Sequence, residues 1–134
     1  IYGEYDEFGE ESTVIASLVK KGCNDKLLSV WGDGTPIRDF IHAEDVARGI
    51  LMSYENQITE PINLGSGDGV RIKDIASIVA THYGKEIEYD TTKPNGDNKR
   101  LMDMTRANSY GFYPEVDLET GIKRVIKYYE SLQK

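Results

Sequence analysis

The stretch "VWGDGTPIRDFIH", Val30 to His42, decides how the rest of the chain is read. Its two glycines suit positive φ and its proline a fixed φ, so "GDGTP" is a sharp turn. Leu27 to Trp31 before the turn reads as a buried strand, and Asp39 to Ile41 after it as a second, short strand. Arg38 stands beside the turn, where it can meet an anionic ligand or form an ordinary surface pair with Asp39 or Asp45.

Working outward, helices flank these strands. Val14, Ile15, Leu18 and Val19 share a helical face preceded by Glu10 and Glu11, which predicts a helix over Ser12 to Lys21 with acids near its positive end. Val46, Ala47, Ile50 and Leu51 repeat in the same way over Ala43 to Tyr54. "PINLGSGDG" predicts a short strand entering a glycine-rich loop. Ile72, Ile75, Ala76, Val79 and Tyr83 mark a third helix that Gly84 can end in a left-handed cap. "EIEYD" alternates as a strand, "TTKPNGDN" is a loop, "KRLMDM" is extended, and "TRANSYGF" gives a helical turn or two closed by Gly111. Leu118, Ile122, Val125, Ile126 and Tyr129 define a last helix. Strands alternating with helices make the class α/β, and 134 residues suffice for one domain spanning residues 1–134.

The totals exclude several functions. Hydrophobic residues at 39% and charged residues at 29% are ordinary for a soluble protein, with no membrane-spanning run. A net charge of −7 argues against nucleic acid, whose phosphates require a basic face. Local cations can still hold a small anion. The single cysteine, Cys23, excludes an intrachain disulfide and a cysteine-based zinc site, and fits a reducing, cytoplasmic setting. His42 and His82 have no partner at metal-ligand spacing, so both read as structural or surface residues.

Two motifs carry a chemical suggestion. Tyr89 and Lys93 in "YDTTK" have the Tyr-x-x-x-Lys spacing by which a lysine lowers a phenol's pKa on a helix face. The tyrosine, however, ends a strand pattern, and Pro94 disfavours helix at Lys93. "LGSGDGV" is close to a dinucleotide-binding glycine loop, with Glu88 as a ribose ligand, but Val70 stands where Gly or Ala lets helix and strand pack closely. A plain strand-to-helix turn accounts for it better. Asp45 reads as a capping residue of its helix rather than an acid catalyst.

Six segments in order, "IYGEYDEF", "ESTVIASLVKK", "VWGDGTPIRDFIHAEDVA", "INLGSG", "TTKPNGDNKRLMDMTRA" and "LETGIK", resemble the C-terminal part of the NAD(P)-dependent epimerase/dehydratase family, the extended short-chain dehydrogenases. Within it, the GDP-L-fucose synthases are the nearest group. The resemblance implies the C-terminal substrate-binding portion of a Rossmann-type fold, whose cofactor-binding part and Ser, Tyr and Lys catalytic set lie upstream of Ile1. It implies a nucleotide-diphosphate sugar as ligand, NAD or NADP held by the absent part with none on this chain, no catalytic residue among these 134, and a homodimeric whole enzyme.

The same resemblance implies site residues. Val14 and Leu18 would form an apolar wall along the nucleotide, although both read equally as core, and Lys21 a polar contact. Val30 would meet the nucleotide through its backbone. Trp31 would lie along the sugar or pack beneath it as plain core. Arg38 would grip the diphosphate, for which a planar guanidinium is suited, and Lys93 of the Lys-Pro-x-Gly loop would reach it too. One departure narrows the chemistry: fucose synthases read Ser-His-Val-Ile-Pro where this chain has Ser12-Thr13-Val14-Ile15-Ala16. The missing histidine takes part in epimerisation, and a threonine hydroxyl is a poor proton carrier near neutral pH. A 4-epimerase, 4-reductase or dehydratase therefore fits better than a 3,5-epimerase.

Overall fold

The computed structural model describes residues 1–134 as five helices and four short strands. Helix α1 (Val14–Asn24) leads through a three-residue link to strand β1 (Leu28–Trp31), and the "GDGTP" turn connects this to β2 (Ile37–Asp39). Helix α2 (Ala43–Glu55), strand β3 (Gly69–Arg71), helix α3 (Ile72–Tyr83), strand β4 (Ile87–Asp90), and helices α4 (Thr105–Ser109) and α5 (Leu118–Leu132) follow.

The strands form two separate pairs. β1 lies parallel to β4 with Val30 opposite Tyr89, and β2 lies antiparallel to β3 with Arg38 opposite Val70. Strand β2 begins two residues before the Asp39–Ile41 expected, because β3 gives way to α3 at Ile72. Beyond Asp39 the chain instead bonds the N-terminal segment: Tyr2 donates to the Ile41 carbonyl at 3.1 Å, and Ala43 donates to that of Tyr2 at 2.8 Å.

Helix α1 starts at Val14, after the expected Ser12, and has no acid in its first turn. Thr13 is its N-cap, but its hydroxyl donates to Asp6 Oδ2 at 3.0 Å and leaves the helix N–H groups uncapped. The glycine cap of α3 forms as the sequence predicts, with Gly84 at φ 62°. The opposite end of α3 explains the turn. The first N–H groups of the helix, on Ile72 and Lys73, donate to the carbonyls of Pro36 and Gly34 at 3.1 and 2.9 Å. "GDGTP" thus replaces a side-chain cap for α3.

Pro61 to Leu64 form no strand, contrary to expectation, since no neighbouring backbone pairs with them. "KRLMDM" touches β2 at one bridge, Ile37 with Lys99. Fourteen buried residues from α1, β1, α3, α5 and Tyr2 make the main core, and a smaller cluster of Ile41, Met104, Ala107 and Phe112 lies towards α2 and α4. Of the helical face read on α2, Ile50 and Leu51 stay 61% and 56% exposed, while the buried positions are Asp45 and Gly49. No helix is long and apolar enough to cross a membrane.

Candidate functional site

A cleft of about 860 Å³ opens between α1, the end of β1, β2 and the loop at Pro94 and Asn95. Val14, Leu18, Lys21, Val30, Trp31 and Arg38 all line it. Lys93, next to Pro94, reaches it from the loop: its Nζ lies 5.2 Å from the centroid of the Trp31 ring, and Lys21 Nζ lies 5.9 Å from the same point. The seven residues singled out in the sequence therefore gather in one place.

Their burial separates them. Leu18 is 4% and Val30 2% exposed, so both side chains belong to the core as well as to the wall of the cleft, whereas Val14 is 42% exposed. Strand β1 is paired only with β4, which leaves its other edge open at Val30. Trp31 is 61% exposed and is not plain core. It lies at the end of β1, while Arg38 lies in β2, so the two come from different sheets rather than from adjacent strands of one.

Arg38 forms neither of the carboxylate pairs that the sequence allowed. Its Nη1 donates to the carbonyls of Ile37 and Asp97 at 2.9 and 2.7 Å, an arrangement that aims the guanidinium along the 94–98 loop and leaves Nη2 uncommitted. Lys21 Nζ donates to the Ser29 carbonyl at 3.1 Å. None of Lys21, Arg38 and Lys93 has a carboxylate within 4.0 Å, in contrast to Arg48, Arg100, Arg106, Lys123 and Arg124.

The turn and the loop hold each other. Asn95 Oδ1 accepts the Asp33 N–H at 2.9 Å and sits against Gly32, where any Cβ would collide with it. Gly32 and Gly34 have φ of 76° and 75°, so both glycines are required. Asp33 Oδ1 accepts from the Thr35 hydroxyl and N–H at 2.6 and 2.9 Å, which holds its carboxyl below the ordinary value. The sequence reading missed Asn95, although a Pro-Asn-Gly loop carrying a side-chain amide was the available signal.

Asp39 answers the question of the glycine loop. Its Oδ1 accepts the Ser66 N–H and hydroxyl, both at 2.7 Å; its Oδ2 accepts the N–H of Gly67 at 2.8 Å and of Met102 at 3.2 Å. In the Gly65–Gly69 loop, where a dinucleotide pyrophosphate would need free donors, Asp39 takes the N–H groups of Ser66 and Gly67, Met104 Sδ that of Gly65 and Ser66 Oγ that of Asp68. These residues do not fit NAD(P). Tyr89 and Lys93 likewise share no helix, since β4 ends at Asp90 and a turn follows.

Asp45 is fully buried, and it is not the cap expected of it. His42 caps α2, its Nδ1 accepting the Glu44 N–H at 3.1 Å. Asp45 instead accepts the N–H groups of Glu115 and Val116 at 3.0 and 3.1 Å and pairs with Arg48, tying the loop before α5 to α2. His82 meets Glu130 on the surface at 3.1 Å, and no group of His, Cys, Asp and Glu is arranged to hold a metal. A second cleft, of about 740 Å³, is rimmed by Asp68, Asp103, Glu115 and Asp117 and has no lysine or arginine in its lining, so it is unsuited to phosphate.

Known proteins resemble this chain in sequence and fold. Residues 1–65 match the NAD dependent epimerase/dehydratase family. A GDP-L-fucose synthase of Sinorhizobium fredii is 36% identical over 98% of this chain and 44% of its own length. The crystal structure of a UDP-glucose 4-epimerase from Thermotoga maritima, solved with UDP-glucose, superposes at a TM-score of 0.85 with 26% identity, covering 99% of this chain and 44% of the other. A GDP-L-fucose synthetase of Naegleria fowleri, bound to NADP, gives 0.89 with 23% identity over 98% and 44%, which speaks for the fold. The chain spans less than half the length of the relatives it matches. With the family profile matching residues 1–65 and relatives aligned along nearly all of this chain, its likeness is to the NAD dependent epimerase/dehydratase family.

Proposed function

We propose that these 134 residues form the nucleotide-sugar-binding part of an NAD(P)-dependent 4-epimerase, 4-reductase or dehydratase. One observation carries the proposal: three cations without carboxylate partners, Lys21 and Lys93 near the exposed Trp31 indole and Arg38 in the wall of the same cleft, gather in a chain whose net charge is −7. Arg48, Arg100, Arg106, Lys123 and Arg124 are paired with carboxylates, whereas these three stand together in one cleft with their charge available. A cleft of this volume suits a nucleoside diphosphate sugar.

In this reading Arg38 takes two phosphate oxygens through its open edge, Lys93 takes another, and Trp31 offers a flat face to the sugar. Fixing the diphosphate positions the sugar for chemistry performed by residues outside this chain. NAD(P) would be held there too, because the glycine loop here is closed by Asp39. Thr13, spent on Asp6, supplies no proton-transfer group, in keeping with a reaction at C4 without 3,5-epimerisation.

Trp31 is the only tryptophan, so it reports directly on its own cleft. Titration with a nucleoside diphosphate should change its emission, and Arg38→Ala should weaken binding roughly ten- to hundredfold. Unchanged emission, or equal affinity in the variant, would overturn the proposal.

A further inference from the structure

We propose that Asn95 is a positioning residue: by holding the Asp33 N–H it sets Lys93 against Trp31, where the lysine meets the ligand's phosphate. The proposal rests on the cleft's taking a nucleoside diphosphate. The segment that carries Lys93 has no packing to hold it, since every residue from Thr91 to Arg100 is exposed. Its place therefore depends on polar contacts. Lys93 N–H donates to the Asp90 carbonyl at 3.2 Å at one end, and Ile37 N–H donates to the Asn98 carbonyl at 2.9 Å at the other. Arg38 adds its bond to the Asp97 carbonyl. Between these ties Pro94, Asn95 and Gly96 make no backbone hydrogen bond with one another or with a neighbouring segment. The tip is fastened by the Asn95 side chain, whose Oδ1 accepts the Asp33 N–H at 2.9 Å.

The turn keeps its shape without that bond. Its Gly34 and Pro36 carbonyls are held by the first N–H groups of α3, and Asp33 and Thr35 hold each other. The loop tip has no such second tie. Lys93 stands two residues before Asn95, and Trp31 two residues before Asp33, so one hydrogen bond between the later pair sets the spacing of the earlier pair. Lys93 Nζ then lies 5.2 Å from the indole centroid, within the range of cation–π attraction. The seat is specific, because a Cβ on Gly32 would collide with the amide oxygen that sits there.

A lysine is a point charge on a flexible stem, so its contribution to binding depends on how much of its motion is removed before the ligand arrives. Asn95 removes the part that belongs to the loop. Loss of the amide should free the tip and withdraw Lys93 from the phosphate, while Trp31 and Arg38 stay on strands with their own ties. Asn95 thus acts through Lys93 alone.

A double-mutant cycle separates this role from general support. Isothermal titration with UDP and with GDP compares the parent, Asn95→Ala, Lys93→Ala and the double variant. Each single change should weaken binding roughly three- to tenfold, and Asn95→Ala should alter it less than about twofold once Lys93 is gone. Trp31 emission without ligand gives a second readout: both single variants should shift it in the same direction, and the double variant no further. Equal penalties for Asn95→Ala with and without Lys93, no penalty from either single change, or emission shifts that add in the double variant would overturn the role of Asn95 while leaving the cleft a nucleotide site. Failure of both nucleotides to bind the parent would overturn the nucleotide reading and this role with it.

Discussion

Asp39 holds Ser66 twice with one oxygen, through the N–H and the hydroxyl, each at 2.7 Å. With Gly67 and Met102 on the other oxygen, one carboxylate gathers β2, the glycine loop and the segment leading to α4. Asp39→Ala leaves four donors without their acceptor and should cost about 2–4 kcal/mol. Urea unfolding measures it, and a loss within error of zero would show that water replaces the carboxylate.

The same closure predicts that the glycine loop takes no dinucleotide. Gly67→Val should therefore leave any NAD(P) binding by the protein unchanged apart from stability effects, since Gly67, at φ 75°, serves the turn. Calorimetry with NADP decides this; an affinity that disappears with Gly67 would place the cofactor in the loop after all.

His42 faces two partners that fix its proton. Nδ1 accepts the Glu44 N–H, so the proton resides on Nε2, 2.9 Å from Glu4 Oε2. Nitrogen-15 spectra should show the Nε2–H tautomer. His42→Ala removes the cap of α2 and strands part of Glu4, at about 2 kcal/mol, and His42→Asn should recover the capping share. A Nδ1–H tautomer would contradict the cap.

Glu4 adds a pH dependence. Burial raises its pKa, but its backbone hydrogen bond and Arg124 Nε, at 2.5 Å, outweigh that and bring the carboxyl below its ordinary 4.5. A carboxylate with a depressed folded value stabilises fully above 4.5 and loses that contribution as the pH falls through the lower folded value. Glu4→Gln should therefore flatten the stability profile between about pH 5 and 3. A profile as steep as the parent's would assign the acid sensitivity to other carboxylates.

Two glycines should respond differently to alanine. At Gly121 a Cβ would run into the ring of Tyr2, which is 2% exposed and cannot retreat, so Gly121→Ala should cost about 2–3 kcal/mol. At Gly84 nothing lies within 4 Å and only φ 62° resists, about 1 kcal/mol. Thermal melts of the two variants test the order; a reversal would mean that α5 shifts freely.

Much of this was legible in the chain. Helical spacing located α3 and α5, because their apolar faces meet the main core and Gly84 leaves a clear stop. The resemblance carried by the ordered motifs pointed to Trp31, Arg38 and Lys93, and the structure places Trp31 and Arg38 in one cleft with Lys93 Nζ 5.2 Å from the indole centroid. The exact place of β2 did not, since a three-residue strand is set by its partner, and the partner is defined by where α3 begins. Asp45 misled because a first-turn acid normally interacts with its own helix end, whereas this one reaches across seventy positions to Glu115. Neither that reach nor the closure by Asp39 has a local signature. Ile50 and Leu51 repeat like core residues yet face water, which periodicity alone cannot distinguish.

The unequal size of the two apolar clusters has a dynamic consequence. The four residues near α2 and α4 cannot hold their surroundings as firmly as the fourteen beneath α1, α3 and α5, so the molecule should open in two stages. Amides of α2 should exchange with deuterium before those of α3. The carboxylates of Asp39 and Asp45 are the rivets across that seam, and Arg38, one residue from the first rivet, lets whatever fills the cleft slow the looser side.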